Sequence, residues 1–72
     1  PEGYLRKVNL PAALTWEGDT LTLDFAEGGL MEVEVEGSVS TPSQGWTMNR
    51  EGERTTFTKW GDPDTLVLHF WE

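Results

Sequence analysis

Seventy-two residues give a single domain with one small core. No cysteine is present, so there is no disulfide and no thiolate metal site, and packing, self-association or a neighbouring domain must stabilise the fold. A net charge of −8 makes nucleic acid and anionic membranes poor partners and keeps an all-β chain in solution; a basic protein surface or a cation is the better electrostatic match.

Residues 4–16 open the chain with period-two patterning. The even positions read Tyr4, Arg6, Val8, Leu10, Ala12, Leu14 and Trp16, with Arg6 the only strongly polar member. This predicts one long strand, or two strands sharing a face. Pro11 cannot donate to a ladder and marks a bend or an edge position. Glu17-Gly18 then reads as a two-residue hairpin turn with Gly18 at positive φ. On that register Trp16 opposes Asp19, Leu14 faces Leu21 and Ala12 faces Leu23.

The next strand, 20–25, points Leu21, Leu23 and Phe25 inward and Thr20, Thr22 and Asp24 outward. Ala26-Glu27-Gly28 fits a three-residue hairpin loop with Gly28 in the left-handed region. Pairing across it sets Leu23 opposite Met31 and Leu21 opposite Val33. The strand 30–36 alternates most cleanly, with Met31, Val33 and Val35 facing the core and Glu32, Glu34 and Glu36 facing water. Residues 38–45 lack periodicity and form a loop between two hairpin-rich halves.

The second half repeats the logic. Around Glu51-Gly52, with Gly52 at positive φ, Arg50 opposes Glu53, Met48 opposes Thr55 and Trp46 opposes Phe57. Gly61-Asp62-Pro63-Asp64 makes the last turn, with Trp60 opposite Thr65, Phe57 opposite Leu68 and Thr55 opposite Phe70. Superposing the two Glu-Gly turns hints at a duplicated unit. The final strand puts Leu66, Leu68 and Phe70 on the core. Its other face, Val67, His69 and Trp71, is also mostly apolar, and the assumed pairing sets Trp60, Thr58, Thr56 and Arg54 beside it. The expected fold is all-β: an antiparallel meander of six to seven strands, barrel-like because closure removes exposed edges, with a two-layer β-sandwich as the alternative.

Signals for catalysis are weak. His69 is the only histidine, and Ser38, Ser40 and Ser43 resemble ordinary loop residues with no nucleophile elbow. Neighbours such as Glu32, Glu34 and Glu36 recur at about 7 Å along one strand face, too far apart for three of them to chelate one ion. Asp19, Asp62 and Asp64 occupy turns, where aspartate serves local hydrogen bonding. No glycine-rich phosphate loop leads into a helix, and no cofactor is implied. Trp16, Trp46, Phe25, Phe57 and Phe70 fall on the inward face, whereas Trp60 and Trp71 fall outward.

The sequence therefore reads as a non-enzymatic binding module for protein–protein interaction or assembly, as a subunit or an accessory domain of a larger protein. Its expected interface patch is Trp60, Val67, His69 and Trp71, with Arg54 at the rim. Carbohydrate binding through Trp60 and Trp71 is an alternative. Another is acidic mimicry by Asp24, Glu32, Glu34 and Glu36 directed at a basic or nucleic-acid-binding protein.

Overall fold

A computed structural model of the chain describes residues 3–71. These form eight antiparallel strands and no helix: β1 (Tyr4–Val8), β2 (Ala12–Glu17), β3 (Thr20–Phe25), β4 (Gly29–Glu36), β5 (Ser38–Ser40), β6 (Thr47–Glu51), β7 (Arg54–Gly61) and β8 (Thr65–Trp71). They make two four-stranded sheets. The first has the order β1-β4-β7-β6 and the second β2-β3-β8-β5. The all-β expectation holds in its two-layer form. No barrel closes, because no ladder joins one sheet to the other.

The alternation picked out most of the core; Val39, in a segment read as a loop, joins it, and Leu14 and Trp16, read as inward, do not. Leu21, Leu23, Met31, Val33, Val35, Phe57, Leu66 and Leu68 are fully buried between the sheets, with Phe25, Val39 and Phe70 nearly so. Leu5, Val8, Leu10, Ala12 and Trp46 pack around this cluster. Apolar burial is the dominant favourable term in folding, so this cluster holds the two sheets together.

The two Glu-Gly turns form as expected in kind, with Gly18 at φ 63° and Gly52 at φ 62°. Their registers differ from expectation by two residues. Each glycine is the first central residue of its turn and no described non-glycine residue has positive φ, the pattern that places glycine at the first central position. Glu17 therefore closes on Thr20, so that Leu14 meets Leu23 and Trp16 meets Leu21. Likewise Glu51 closes on Arg54, Arg50 meets Thr55 and Met48 meets Phe57. A shift of two preserves side-chain parity, which is why the faces survive the error.

Two expected hairpins are crossovers between sheets. β3 pairs with β2 and β8, not with β4, and β7 pairs with β4 and β6, not with β8. At the end of β3 the Phe25 N–H donates to the Asp64 carbonyl and the Ala26 N–H to the Pro11 carbonyl, which holds the chain in its own sheet. Gly29, at φ 114°, then turns it into the other. Gly28 is not in the left-handed region. It is glycine because a Cβ there would stand 2.4 Å from the Gly61 carbonyl oxygen. The two crossover links thus pack directly against each other.

The single face expected for 4–16 is broken by an irregularity in β1. Its pairing with β4 runs Leu5 to Val35 and then Lys7 to Glu34, so Arg6 is an extra residue. Parity reverses there. Leu5 and Val8 pack on the core while Tyr4, Arg6 and Lys7 are exposed.

The hinted duplication is visible in the topology. Advancing each strand number by four, and returning from eight to one, turns β1-β4-β7-β6 into β5-β8-β3-β2, which is the second sheet in reverse. The halves β1–β4 and β5–β8 thus have equivalent strand topology, in which the hairpins at Gly18 and Gly52 occupy corresponding places.

Candidate functional site

The outer face of the first sheet carries the acidic row, and arginines pair with two of its members, Glu34 and Glu36. The Arg6 Nε donates to Glu34 at 2.9 Å and its Nη1 lies 3.6 Å from Glu36. From the other side Arg54 Nε lies 3.5 Å from Glu34 and 3.9 Å from Glu36. The hydrogen bond to Glu34, then that to the Tyr4 hydroxyl, holds the Arg6 guanidinium above its ordinary pKa. Glu34 and Glu36 are therefore members of a charge network and not bare, mutually repelling carboxylates. Beside it a shallow cavity of about 120 Å³ is lined by Lys7, Asn9, Glu32, Glu34 and Thr56. Asp24 is not part of this face. It lies on the second sheet, where Thr65 Oγ1 donates to it.

The expected patch is divided. Trp60 and Arg54 lie on β7 in the first sheet, whereas Val67, His69 and Trp71 lie on β8 in the second. The cause is the crossover at 62–64, which carries the chain between layers where a hairpin was expected. Trp60 is 75% exposed, opposite Leu30, on a groove of about 300 Å³ that also touches Gly45, Thr47, Thr58 and Lys59. Lys59 reaches Asp64. This contact, then the Thr65 N–H bonded to the same carboxylate, holds Asp64 below the usual aspartate range.

On the second sheet, Trp71 is 59% exposed, and its indole N–H donates to Ser40 Oγ at 3.0 Å. The His69 Nδ1 lies 3.0 Å from Thr20 Oγ1. Val67 is fastened on its edge, its carbonyl accepting from Thr41 Oγ1 and its N–H donating to Ser43 Oγ. Residues 38–45 thus split into β5 and a segment that caps β8. Ser40 and Ser43 serve this seam. Among the described residues, no three His, Cys, Asp or Glu side chains gather as metal ligands.

A third surface was missed in the sequence. Leu14 and Trp16 do point toward the inner side of their sheet, as parity required, and the Trp16 ring tilts against Phe70 at 5.4 Å. Yet they are 46% and 47% exposed. β2 is the last strand of its sheet, so nothing flanks it on that side. The available signal was the run Ala12 to Trp16, five residues without a charge.

The four edges differ sharply in protection. β1 carries Arg6 and Lys7, of which Arg6 is itself the extra residue. β5 has three residues and is followed by Pro42. β6 carries Arg50 and Glu51. Charges, brevity, proline and bulges are the usual barriers to edge-to-edge pairing. β2 is bounded by Pro11 and Glu17, but between them Ala12 to Trp16 carry no charge, proline or bulge. Comparison with protein-family models, with curated proteins and with solved structures found no match.

Proposed function

We propose that the protein is a non-enzymatic interaction module that docks another polypeptide on the open edge of β2. One observation carries this reading: an edge strand with unprotected backbone also exposes a leucine and a tryptophan on the same stretch. Backbone hydrogen bonds to such an edge supply affinity, and alternate side chains supply specificity. Tryptophan is among the residues most enriched at the energetic centre of interfaces. Trp71, Val67 and His69 stand on the outer face of the same sheet, and Trp60 on the opposite layer. They are secondary contacts in this reading.

A double variant, Leu14→Lys with Trp16→Lys, tests it. Far-ultraviolet circular dichroism should show an intact β-sheet, while light scattering and affinity capture should show lost association. If the unmodified chain neither self-associates nor captures any protein that the variant fails to capture, the reading is wrong.

Carbohydrate binding keeps one supporting observation, the exposed Trp60 on its groove with Thr47 and Thr58. It would use Trp60 alone, because Trp71 lies on the other sheet. Quenching of tryptophan fluorescence by polysaccharide, abolished by Trp60→Ala, would establish it.

A further inference from the structure

We propose that the occupant of the β2 edge is a second copy of this chain, paired antiparallel across a two-fold axis so that two four-stranded sheets become one eight-stranded sheet. This rests on the docking reading above and specifies the partner.

The backbone sets the first condition. The two-residue turn makes Glu17 and Thr20 a mutually hydrogen-bonded pair, and such pairs alternate along an antiparallel ladder. Glu17, Thr15 and Ala13 therefore direct their N–H and C=O groups to β3. The Pro11 carbonyl, bonded to the Ala26 N–H, follows the same alternation. Trp16, Leu14 and Ala12 direct theirs outward, where no described strand receives them.

Parity sets the second. Two-fold pairing that keeps each side chain on its own face must match residues of like parity. With Leu14 opposite its own copy, Ala12 falls opposite Trp16 in both directions. All three outward residues of each strand are then engaged, with two hydrogen bonds per pair. The side chains fit this register. The large Trp16 meets the small Ala12, Leu14 meets Leu14, and on the other face Ala13 meets Thr15.

Charge sets the third. The chain carries −8 overall, but the paired segment 12–16 carries none. The only adjacent carboxylate, Glu17, falls opposite Pro11, and its two copies sit at opposite ends of the joint. A basic segment would find no row of acids here to pair with. An uncharged strand of the same pattern is the better match, and this chain supplies one. The paired segment, residues 12–16, is far shorter than the roughly 20–30 residues a side of a standard interface, so the dimer forms and dissociates with concentration.

The topological equivalence of the two halves provides the control. Counting from the two turn glycines, Leu14 and Trp16 correspond to Met48 and Arg50 on β6, whose backbones also point off an edge. Sedimentation of the unmodified chain at rising concentration should show a monomer–dimer equilibrium. Over that range amide exchange at Leu14 and Trp16 should slow, and at Met48 and Arg50 should not. The chain has no cysteine, and directly bonded pairs hold their Cα atoms about 5.5 Å apart, within disulfide reach. Leu14→Cys should therefore oxidise to a covalent dimer, while Met48→Cys should remain monomeric.

A dimer whose Leu14 and Trp16 amides still exchange fast overturns the proposal, as does equal cross-linking of the two cysteine variants. A chain that stays monomeric also overturns it. If that monomer still captures an unlike protein through β2, the docking reading stands; if it captures nothing, both fall.

Discussion

Thr55→Val should stabilise this protein. Thr55 lies on the inner face of β7, paired with Val35 on one side and Arg50 on the other, and is 1% exposed. Its hydroxyl is buried without a hydrogen-bond partner among the described residues. The equivalent residue in the other half, three positions after its turn glycine, is the fully buried Leu21. The environment is thus built for an apolar side chain. Valine keeps the β-branch and replaces the hydroxyl by a methyl.

Burying a hydroxyl with no partner costs about 1–3 kcal/mol by protein mutational measures. Allowing for a slightly tighter fit of the methyl group, the net gain is about 1–2 kcal/mol. For a domain of this size each kcal/mol moves the thermal midpoint by roughly 4–8 °C. The midpoint should therefore rise by roughly 4–16 °C, read by circular dichroism. Urea unfolding should shift to higher denaturant with its slope unchanged, the mark of a pure stability change. Thr55→Ser keeps the hydroxyl, deletes the methyl and should lose about 1 kcal/mol. An unchanged or lower midpoint for Thr55→Val would show that Oγ1 has a hydrogen-bond partner and that the reasoning fails.

Phe57→Ala should cost about 3–5 kcal/mol, enough to leave the domain largely unfolded, because the ring is fully buried at the centre of its sheet; a near-native midpoint would contradict that placement. Glu34→Lys should lower the midpoint, and by less at high salt, since it removes the carboxylate shared by Arg6 and Arg54 and sets a third cation beside them; a midpoint that is unchanged at low salt would mean the network contributes nothing. Asp64 has a depressed pKa in the folded state, so its contribution is present above the ordinary aspartate pKa of about 3.9 and is lost as pH falls through the lower folded value. Asp64→Asn should therefore flatten the acid limb of the stability–pH curve, and an unaltered limb would remove the Lys59 contact as its cause.

Strand faces were legible in the sequence because parity is a local property. Leu21, Leu23, Val33 and Phe57 alternate with polar residues whatever strand lies beside them, and an even register error leaves them in place. Sheet membership was not legible. Whether 26–28 closes a hairpin or crosses between layers depends on Asp64, Gly61 and Pro63, more than thirty residues away, which hold the end of β3 and crowd Gly28. The same non-local choice at 62–64 divided the expected patch, leaving Trp60 and Trp71 exposed as parity required but on different sheets. The extra residue Arg6 was hidden because it reads as a single polar exception in an even-numbered series that resumes at Val8, Leu10 and Ala12. Leu14 and Trp16 read as core for a related reason: an inward side chain is buried only where the facing layer extends over it, and no local pattern reports which strand comes last.

The equivalence of the two halves gives that last point a consequence for assembly. β2 and β6 are topologically equivalent edge strands, one in each sheet. Were both apolar, each molecule would present two adhesive edges. An edge that binds its equivalent on the next molecule, which then offers a second edge, extends without limit. The two halves differ at the positions that decide this. Where β2 has Ala13, Leu14, Thr15 and Trp16, β6 has Thr47, Met48, Asn49 and Arg50. Polar or charged residues replace three of the four, and the arginine stands where tryptophan would anchor a partner. One edge is thereby left open and its equivalent closed, so the association proposed for β2 would end at a pair.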